Sequence, residues 1–249
     1  MNILVPIKGV IDPNINLVVE NNNINYNNYN LIINPFDEIA LEASMQLKEN
    51  KKNCKVISIT CSNLNSKEIL QKSLAFGIDE SILINNDENI ELSPLIISKL
   101  LKNIVEKKNI DLIIMGKQQI NEDNHQLGQM LAGILNWPQA ICVSNIVLKK
   151  DKIIVTKEID FGLENLSLEL PALITVDLRL NEPRFISLSN IIKSKKKNIE
   201  IINIKDINID KISKLKKIKY SINEKEKKKI KFINIKELFE KLKEFNIIK

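Results

Sequence analysis

The sequence predicts an α/β fold: a mostly parallel sheet with helices on both faces, a β-hairpin insertion and a C-terminal arm. Three observations predict it. Over the first 135 residues, short apolar runs alternate with stretches whose apolar residues recur at helical spacing. Runs such as NILVPI and DLIIMG are apolar nearly throughout, as strands buried on both faces are. Beyond residue 141 the helical spacing gives way to β-like runs in succession.

In chain order, NILVPI (residues 2–7) is the first strand. Residues 17–33 hold two short β-like runs around the Asn-rich ENNNINYNNYN, which reads as a hairpin with a polar tip. NPFDEIALEASMQLKE opens a helix: Asn34 is placed to cap it, Pro35 suits its first position, and Asp37 and Glu38 favour its first turn. KVISIT (residues 55–60) is the second sheet strand, and a helix follows with Asn65 as cap, Glu68 three residues on and Gly77 as stop. SILIN (residues 81–85) is followed by a helix from Ser93 and Pro94 that turns Ile97, Leu100, Leu101, Ile104 and Val105 inward. DLIIMG ends in Gly116, a polar loop follows, and a helix spans residues 125–135. ICVSNIVL, a Lys149–Lys152 turn, KIIVTKEI and ALITVD then supply β signals, the last as a returning sheet strand. After residue 198 the chain is rich in Lys, Ile and Asn and poorly patterned until an amphipathic helix with Ile235, Leu238, Phe239, Leu242 and Phe245 on one stripe. The division expected is an α/β domain over residues 1–197 and an extension over 198–249 that contacts a partner.

Composition narrows the classes of function. With 44% apolar residues the chain is globular, not disordered. The net charge of +6 invites a nucleic-acid reading, but aromatic residues make up 4% and no zinc-finger, RNP-like or helix-turn-helix pattern accompanies it. Solvated surface lysines, able to steer the protein towards acidic partners, explain the charge better. Three cysteines without a CxxC pair and a single His speak against a disulfide framework or a zinc site. No apolar run approaches the roughly 20 residues of a membrane span. MNILVPIK has no basic leader, and a soluble protein of a reducing compartment is expected.

Two regions are candidates for chemistry. In MGKQQINEDNHQLGQ a strand ends in glycine, runs through a polar loop and enters a helix near a second glycine. Loop N–H groups and a helix N-terminus can there face an anion, although Gly116 and Gly128 are too far apart for a GxGxxG or P-loop spacing. An ordinary connecting loop is the competing reading. His125 has no acidic or nucleophilic partner visible in the sequence, so no acid–base role is assigned to it. The helix start at Asn34 and the strand end at Cys61 would face the same crevice, where parallel sheets bind ligands beyond their carboxyl ends. An ordinary capped helix and a buried apolar Cys are the plainer alternatives.

The second region is LRLNEPRFISLSNIIKSKKK. Arg179 and Arg184 are the only arginines among 37 Lys and Arg residues, and both fall here, separated by the turn residues Asn181, Glu182 and Pro183. Arginine offers a planar fork that lysine lacks, so both are candidates for bidentate ion pairs that buttress the turn or dock a subunit. Leu188, between Ser187 and Ser189, is an apolar residue in a polar loop and an interface anchor if it does not tuck back into its own domain.

VPIKGVID, NPFDEIALE, AFGID, GKQQINED, EIDFGLENLSLELPALITVDLRLNEPR and NIIKSKKK, in this order, resemble the β subunit of electron-transfer flavoprotein over essentially the whole chain. The DLRLNEPR block with its following lysines is the most specific part. The resemblance implies a Rossmann-like, adenine-nucleotide-binding sheet holding one structural AMP. It also implies a heterodimer with an α subunit that mainly holds FAD. Electrons would enter from flavin dehydrogenases such as acyl-CoA dehydrogenases and leave to a membrane quinone oxidoreductase. The chain itself would be a carrier subunit without bond chemistry, cytoplasmic or in a mitochondrial matrix, and its C-terminal arm would wrap the α subunit.

Carried over by position, the AMP contacts fall on Pro6, Asn34, Pro35, Phe36, Asp37 and Cys61. They continue through the loop Gly116, Lys117, Gln118, Gln119, Ile120, Asn121, Glu122, Asp123, Asn124, His125, Gln126 and Leu127. Phe36 would also approach the flavin. Glu158 matches a glutamate that pairs with an α-subunit arginine, Arg184 joins the partner-binding set, and Leu188 matches a recognition-loop leucine that enters a pocket on the dehydrogenase. Lys193 and Lys196 match lysines beside it. Departures from the family pattern are His125 for Asn, Leu127 for Thr, Asn121 for Asp and Pro13 for an aromatic residue; Leu127 leaves only backbone N–H groups to bind a phosphate there.

Two other classes compete. A flavin-bifurcating β subunit would hold a second FAD in place of AMP, but such relatives usually lack the NPF phenylalanine and this LNEPR form. A stand-alone universal-stress-type nucleotide module prefers a Gly-x2-Gly-x9-Gly-Ser/Thr loop, whereas here Gln119 stands at the inner Gly and Gln129 follows Gly128.

Overall fold

A computed structural model describes residues 1–20, 24, 29–88, 90–210, 218–221 and 234–248. In chain order its strands and main helices begin with β1 (Asn2–Pro6), β2 (Gly9–Ile11), β3 (Leu31–Ile33), α1 (Pro35–Asn50), β4 (Lys55–Ser62), α2 (Lys67–Phe76) and β5 (Glu80–Asn85). They continue with α3 (Pro94–Lys108), β6 (Leu112–Gly116), α4 (Leu127–Leu135), β7 (Gln139–Leu148), β8 (Lys152–Ile159) and β9 (Gly162–Glu169). The last are β10 (Ala172–Val176), α5 (Leu188–Ser194), β11 (Ile199–Asn203) and α6 (Ile235–Glu244). The described residues fall in two compact units, Met1–Leu17 with Asn25–Ile218, and Val18–Ile24 with Lys219–Lys249.

The first unit is an α/β fold around a nine-stranded sheet in the order β11-β5-β4-β1-β6-β10-β7-β8-β9. Every neighbouring pair from β11 to β7 is parallel; β8 and β9 add antiparallel strands. The alternation of strand residues divides the core in two. Ile3 and Val5 point to one face with Ile39 and Leu41 of α1 and Ile69 and Leu70 of α2. Leu4, Ile57 and Ile59 point to the other with Leu100 and Ile104 of α3 and Leu131 of α4. Helices on both faces explain why the central strands are apolar at consecutive positions.

Several expectations are corrected locally. The hairpin arms are β2 and β3, paired antiparallel from Gly9 opposite Ile33 to Ile11 opposite Leu31. The first arm therefore precedes residue 17, and much of the Asn-rich tip, residues 21–23 and 25–28, lies outside the described residues. Asn65 is not the N-cap of α2: the helix is entered through a 3₁₀ turn, Leu64–Ser66, and has no side-chain cap at Ser66. Gly77 does end α2, in the left-handed conformation it tolerates without a Cβ. α4 begins at Leu127 and not at His125, whose φ of 50° cannot continue into a helix. Residues 188–194 form the short helix α5, with Ser187 as cap, where a loop is expected. Residues 199–203 were expected in the C-terminal extension; they form β11 and pair with β5 at the sheet edge.

In the second unit, α6 is capped by Asn234, whose side chain accepts from Glu237 N at 2.9 Å. Its stripe is as the spacing predicts, and none of its residues is buried. Among the described residues no helix is long and apolar enough to cross a membrane.

Candidate functional site

The chain reverses its direction across the sheet between β1 and β6: β4 and β5 build outward on one side, and β6 returns on the other. The carboxyl ends of β1, β4 and β6 therefore border a crevice of the kind where open parallel sheets bind ligands. Pro6, Cys61 and Gly116 stand at or near these three ends, so the topology brings together residues far apart in sequence.

α1 starts at this crevice, and Asn34 is fully buried there. It occupies the N-cap position, but its side chain does not cap. Instead Asn34 Nδ2 donates to Gln118 O at 2.9 Å, and Asn34 Oδ1 accepts from Ile120 N at 3.2 Å. A buried amide needs partners, and Pro35 next to it has no N–H to offer. The loop after β6 meets the need, so the helix start and the loop become one wall.

Asp37 lies beneath that wall. Its Oδ2 accepts from Lys8 N at 2.9 Å. Burial pushes its carboxyl up to about 7 against the lowering pull of hydrogen bonds from Lys8, Asn34 and Gly116. Gly116 is required by closeness: a Cβ there would stand 2.4 Å from Asp37 Oδ1 and 2.8 Å from the backbone carbon of Phe36. Phe36 is buried, with Lys117 Nζ 5.3 Å from its ring centroid.

The loop folds on itself and on β1. Lys8 Nζ donates to Gln119 Oε1 at 2.5 Å and pairs with Glu122 at 3.1 Å. Asp123 N donates to Gln119 O at 2.8 Å, Gln118 donates to the Asp123 carboxylate, and Asn124 donates to Glu122 at 3.2 Å. Asp123 and His125 both adopt positive φ, which turns the chain into α4. Asn121 is exposed, and Gln126 holds the N-cap position of α4 without a side-chain cap. Gly128 lets α4 approach β10, because a Cβ there would meet Thr175 Cγ2 at 2.4 Å.

His125 does acquire a neighbour that the sequence does not reveal. Cys142 Sγ lies 3.8 Å from His125 Nε2, carried there by an irregular stretch of β7 in which Cys142 has a φ of 56°. No residue spacing signals that contact. Burial, and then the nearby Lys117 charge, hold the imidazole below its ordinary value, so it stays neutral near pH 7. Burial pushes the Cys61 thiol up to about 12, which keeps it a neutral wall residue and not a nucleophile. With the carboxylates of Glu122 and Asp177 paired to Lys8 and Lys117 and α4 lacking a side-chain cap, the arrangement suits holding an anion.

The residues expected to face partners sit elsewhere. Glu158 on β8 pairs with Arg179, whose Nε also donates to Asp177 Oδ1 at 3.0 Å; Asp177 in turn holds Lys117 at 2.8 Å. Arg184 directs its fork inward: Nε and Nη2 meet the two oxygens of Glu42 at 2.7 and 3.0 Å, and Nη1 and Nη2 meet those of Glu49 at 2.6 and 3.2 Å. Its guanidinium is thus engaged within the chain. Leu188 is 73% exposed, and Lys193 and Lys196 are exposed beside it. The sequence thus locates the crevice residues and the exposed Leu188; what it misses are the contacts of Asn34 with the loop and of Cys142 with His125.

The electron transfer flavoprotein domain model matches residues 24–207. The chain is 40% identical to the electron transfer flavoprotein subunit beta of Dictyostelium discoideum over all of this chain and 99% of that one. Against the human subunit beta the identity is 39%, again over all of this chain and 99% of the relative. Against that of Bradyrhizobium diazoefficiens it is 38%, over 98% of each. The chain belongs to the electron transfer flavoprotein β-subunit family. The family match takes in the α1 start and the loop after β6, both arginines and the exposed segment after them, while β1 is covered by the full-length relatives.

Proposed function

We propose that this chain is the β subunit of a heterodimeric electron carrier and holds one structural AMP in the crevice between β1 and β6. The observation that carries this reading is the Asn34 side chain. It ties the start of α1 to the loop after β6, giving a pre-formed wall of backbone groups beside the uncapped N-terminus of α4. The residues fit an adenine nucleotide's phosphate: the loop backbone stands beside the α4 N-terminus, which has no side-chain cap, Lys8 and Lys117 balance the carboxylates of Glu122 and Asp177 there, and Asp37 is largely neutral up to about pH 7. Leu127 offers backbone only.

The flavin, held mainly by the α subunit, supplies the redox chemistry. This chain performs no bond chemistry; it positions that subunit's flavin, with Phe36 beside it, and recognises donors. Glu158 faces the α subunit, and the exposed stripe of α6 is the arm that subunit covers. Leu188 is the apolar anchor for flavin dehydrogenases such as acyl-CoA dehydrogenases, with Lys193 and Lys196 steering towards acidic surfaces. A membrane quinone oxidoreductase accepts the electrons. The setting is cytoplasmic or a mitochondrial matrix.

The test is to purify the heterodimer, denature it and identify the released nucleotides by chromatography. One AMP and one FAD per heterodimer are expected. Two FAD without AMP would replace this reading with a flavin-bifurcating subunit, and FAD alone would point to His125 and Leu127 as the residues that abolish the AMP site.

A further inference from the structure

The exposed segment that carries Leu188 is clamped at both ends. Upstream, Asn181 Nδ2 donates to Ile39 O at 3.1 Å, and Arg184 N donates to Glu42 Oε2 at 3.2 Å in addition to its fork contacts on Glu42 and Glu49. Downstream, Gln71 of α2 donates to the Ser194 carbonyl, and Lys197 Nζ donates to Ile78 O at 2.7 Å. Between the clamps Phe185, Leu188 and Ile192 are all exposed.

The upstream clamp is the more demanding of the two. Glu42 is buried to 4% relative exposure, and a carboxylate there is costly unless it is paired and fully hydrogen-bonded. Arg184 and Gln46 Nε2, the latter at 2.9 Å, supply that pairing and hold the Glu42 carboxyl below its ordinary value. Glu49, near the end of the same helix, takes the rest of the fork. Lysine can bridge two carboxylates, as Lys108 does between Glu80 and Glu200, but its single ammonium lacks the planar fork that meets both oxygens of each here. One helix thus carries the crevice wall at its first turn and the anchorage of the exposed segment further along.

We infer that Arg184 is a positioning residue for donor docking: its double fork to Glu42 and Glu49 fixes the stance of Leu188 relative to α1. The inference rests on the reading of Leu188 as the anchor. A segment ordered in advance avoids the loss of side-chain and loop freedom that a loose one incurs on docking. The Arg184 guanidinium is engaged on Glu42 and Glu49, so on this inference it acts through the segment and not by direct contact.

The experiment uses the complete heterodimer and an acyl-CoA dehydrogenase reduced by its substrate, and measures KM for the carrier and the limiting transfer rate. Arg184→Lys raises KM roughly 3- to 10-fold, the effect of unfreezing one or two side chains, with limiting rate, flavin content and nucleotide content unchanged. Leu188→Ala raises KM as well, and the double variant is no worse than Leu188→Ala alone, because Arg184 acts through Leu188. Additive effects, or an unchanged KM in Arg184→Lys while Leu188→Ala is impaired, overturn the inference. If Leu188→Ala leaves KM unchanged, it is the anchor reading that fails. Should Arg184→Lys not fold, Glu49→Gln decides: Glu49 is exposed, its loss leaves Glu42 paired, and a smaller rise in KM is expected, with no rise counting against the inference.

Discussion

The crevice and the exposed segment after Arg184 are both built on α1, and they use polar groups in opposite ways. At the crevice, polar side chains are turned inward onto backbone: Asn34 onto the loop, Asp37 onto Lys8 N. In the segment, polar groups hold the ends, and Phe185, Leu188 and Ile192 between them face outward while Ile186 packs inward. Burial makes the first region intolerant of change, since every buried polar atom must keep its partner and every close approach is already at contact. The second region should be tolerant in stability, because its exposed side chains touch little of the fold, and, on the proposed function, sensitive in what it binds. The contrast teaches that one helix can join a site that must not move to a surface that must be presented.

The largest effect should come from Gly116→Ala. Its Cβ would meet the Phe36 backbone at 2.8 Å and Asp37 Oδ1 at 2.4 Å, and backbone cannot yield as a side-chain tip can. A loss of about 3 kcal/mol or more is expected from such overpacking, together with loss of retained nucleotide. Gly133→Ala is the control: nothing lies within 4 Å of its Cβ, and inside α4 it should stabilise by roughly 0.5–1 kcal/mol. Chemical denaturation of both variants checks the difference; equal behaviour would show that the β6–α1 contact is slack.

A smaller, pH-dependent effect belongs to Asp37. Its folded value is raised from 3.8 to about 7, so the native state binds more protons than the unfolded chain between those values. Stability contributed by this group is therefore present below 3.8, declines as pH rises through 7, and levels off above it; the full span is roughly 4 kcal/mol at most. Glu38, also raised by burial, adds in the same sense. Glu42, held low by Arg184, acts oppositely and at more acid pH. Asp37→Asn should flatten the decline, read as melting temperature against pH. A decline that survives the substitution would assign it to another group.

How much of this contrast is visible in the sequence depends on the range of the interactions. The parallel sheet and the face each strand residue takes follow from local periodicity, and Pro35 and Gly77 mark helix ends because their backbone restrictions are local. The use of Asn34 is hidden, since nothing nearby shows that Gln118 and Ile120 will compete for its side chain and win. Cys142 beside His125 is hidden likewise, because it depends on an irregularity of β7. The paired arginines give a correct signal with an ambiguous address: scarcity marks Arg184 as needing a fork, but only the packing of α1 identifies Glu42 and Glu49 as what the fork holds. β11 escapes notice because its Ile, Glu and Asn residues blend into a region of similar composition.

The smallest expected effect on stability is the most discriminating for the exposed segment. Leu188 is 73% exposed at the first position of α5, whose cap is made by Ser187 accepting from Asn190 N, not by the leucine. Truncating an apolar side chain that is already in water removes little buried area, so Leu188→Ala should change stability by no more than about 0.5 kcal/mol in either direction. Alanine's better helix propensity offsets part of whatever contact is lost. Thermal melting of the heterodimer should therefore be unchanged while transfer from a dehydrogenase weakens. A melting temperature lowered by several degrees with transfer intact would make Leu188 part of the fold's own packing, and the two regions would no longer differ in kind.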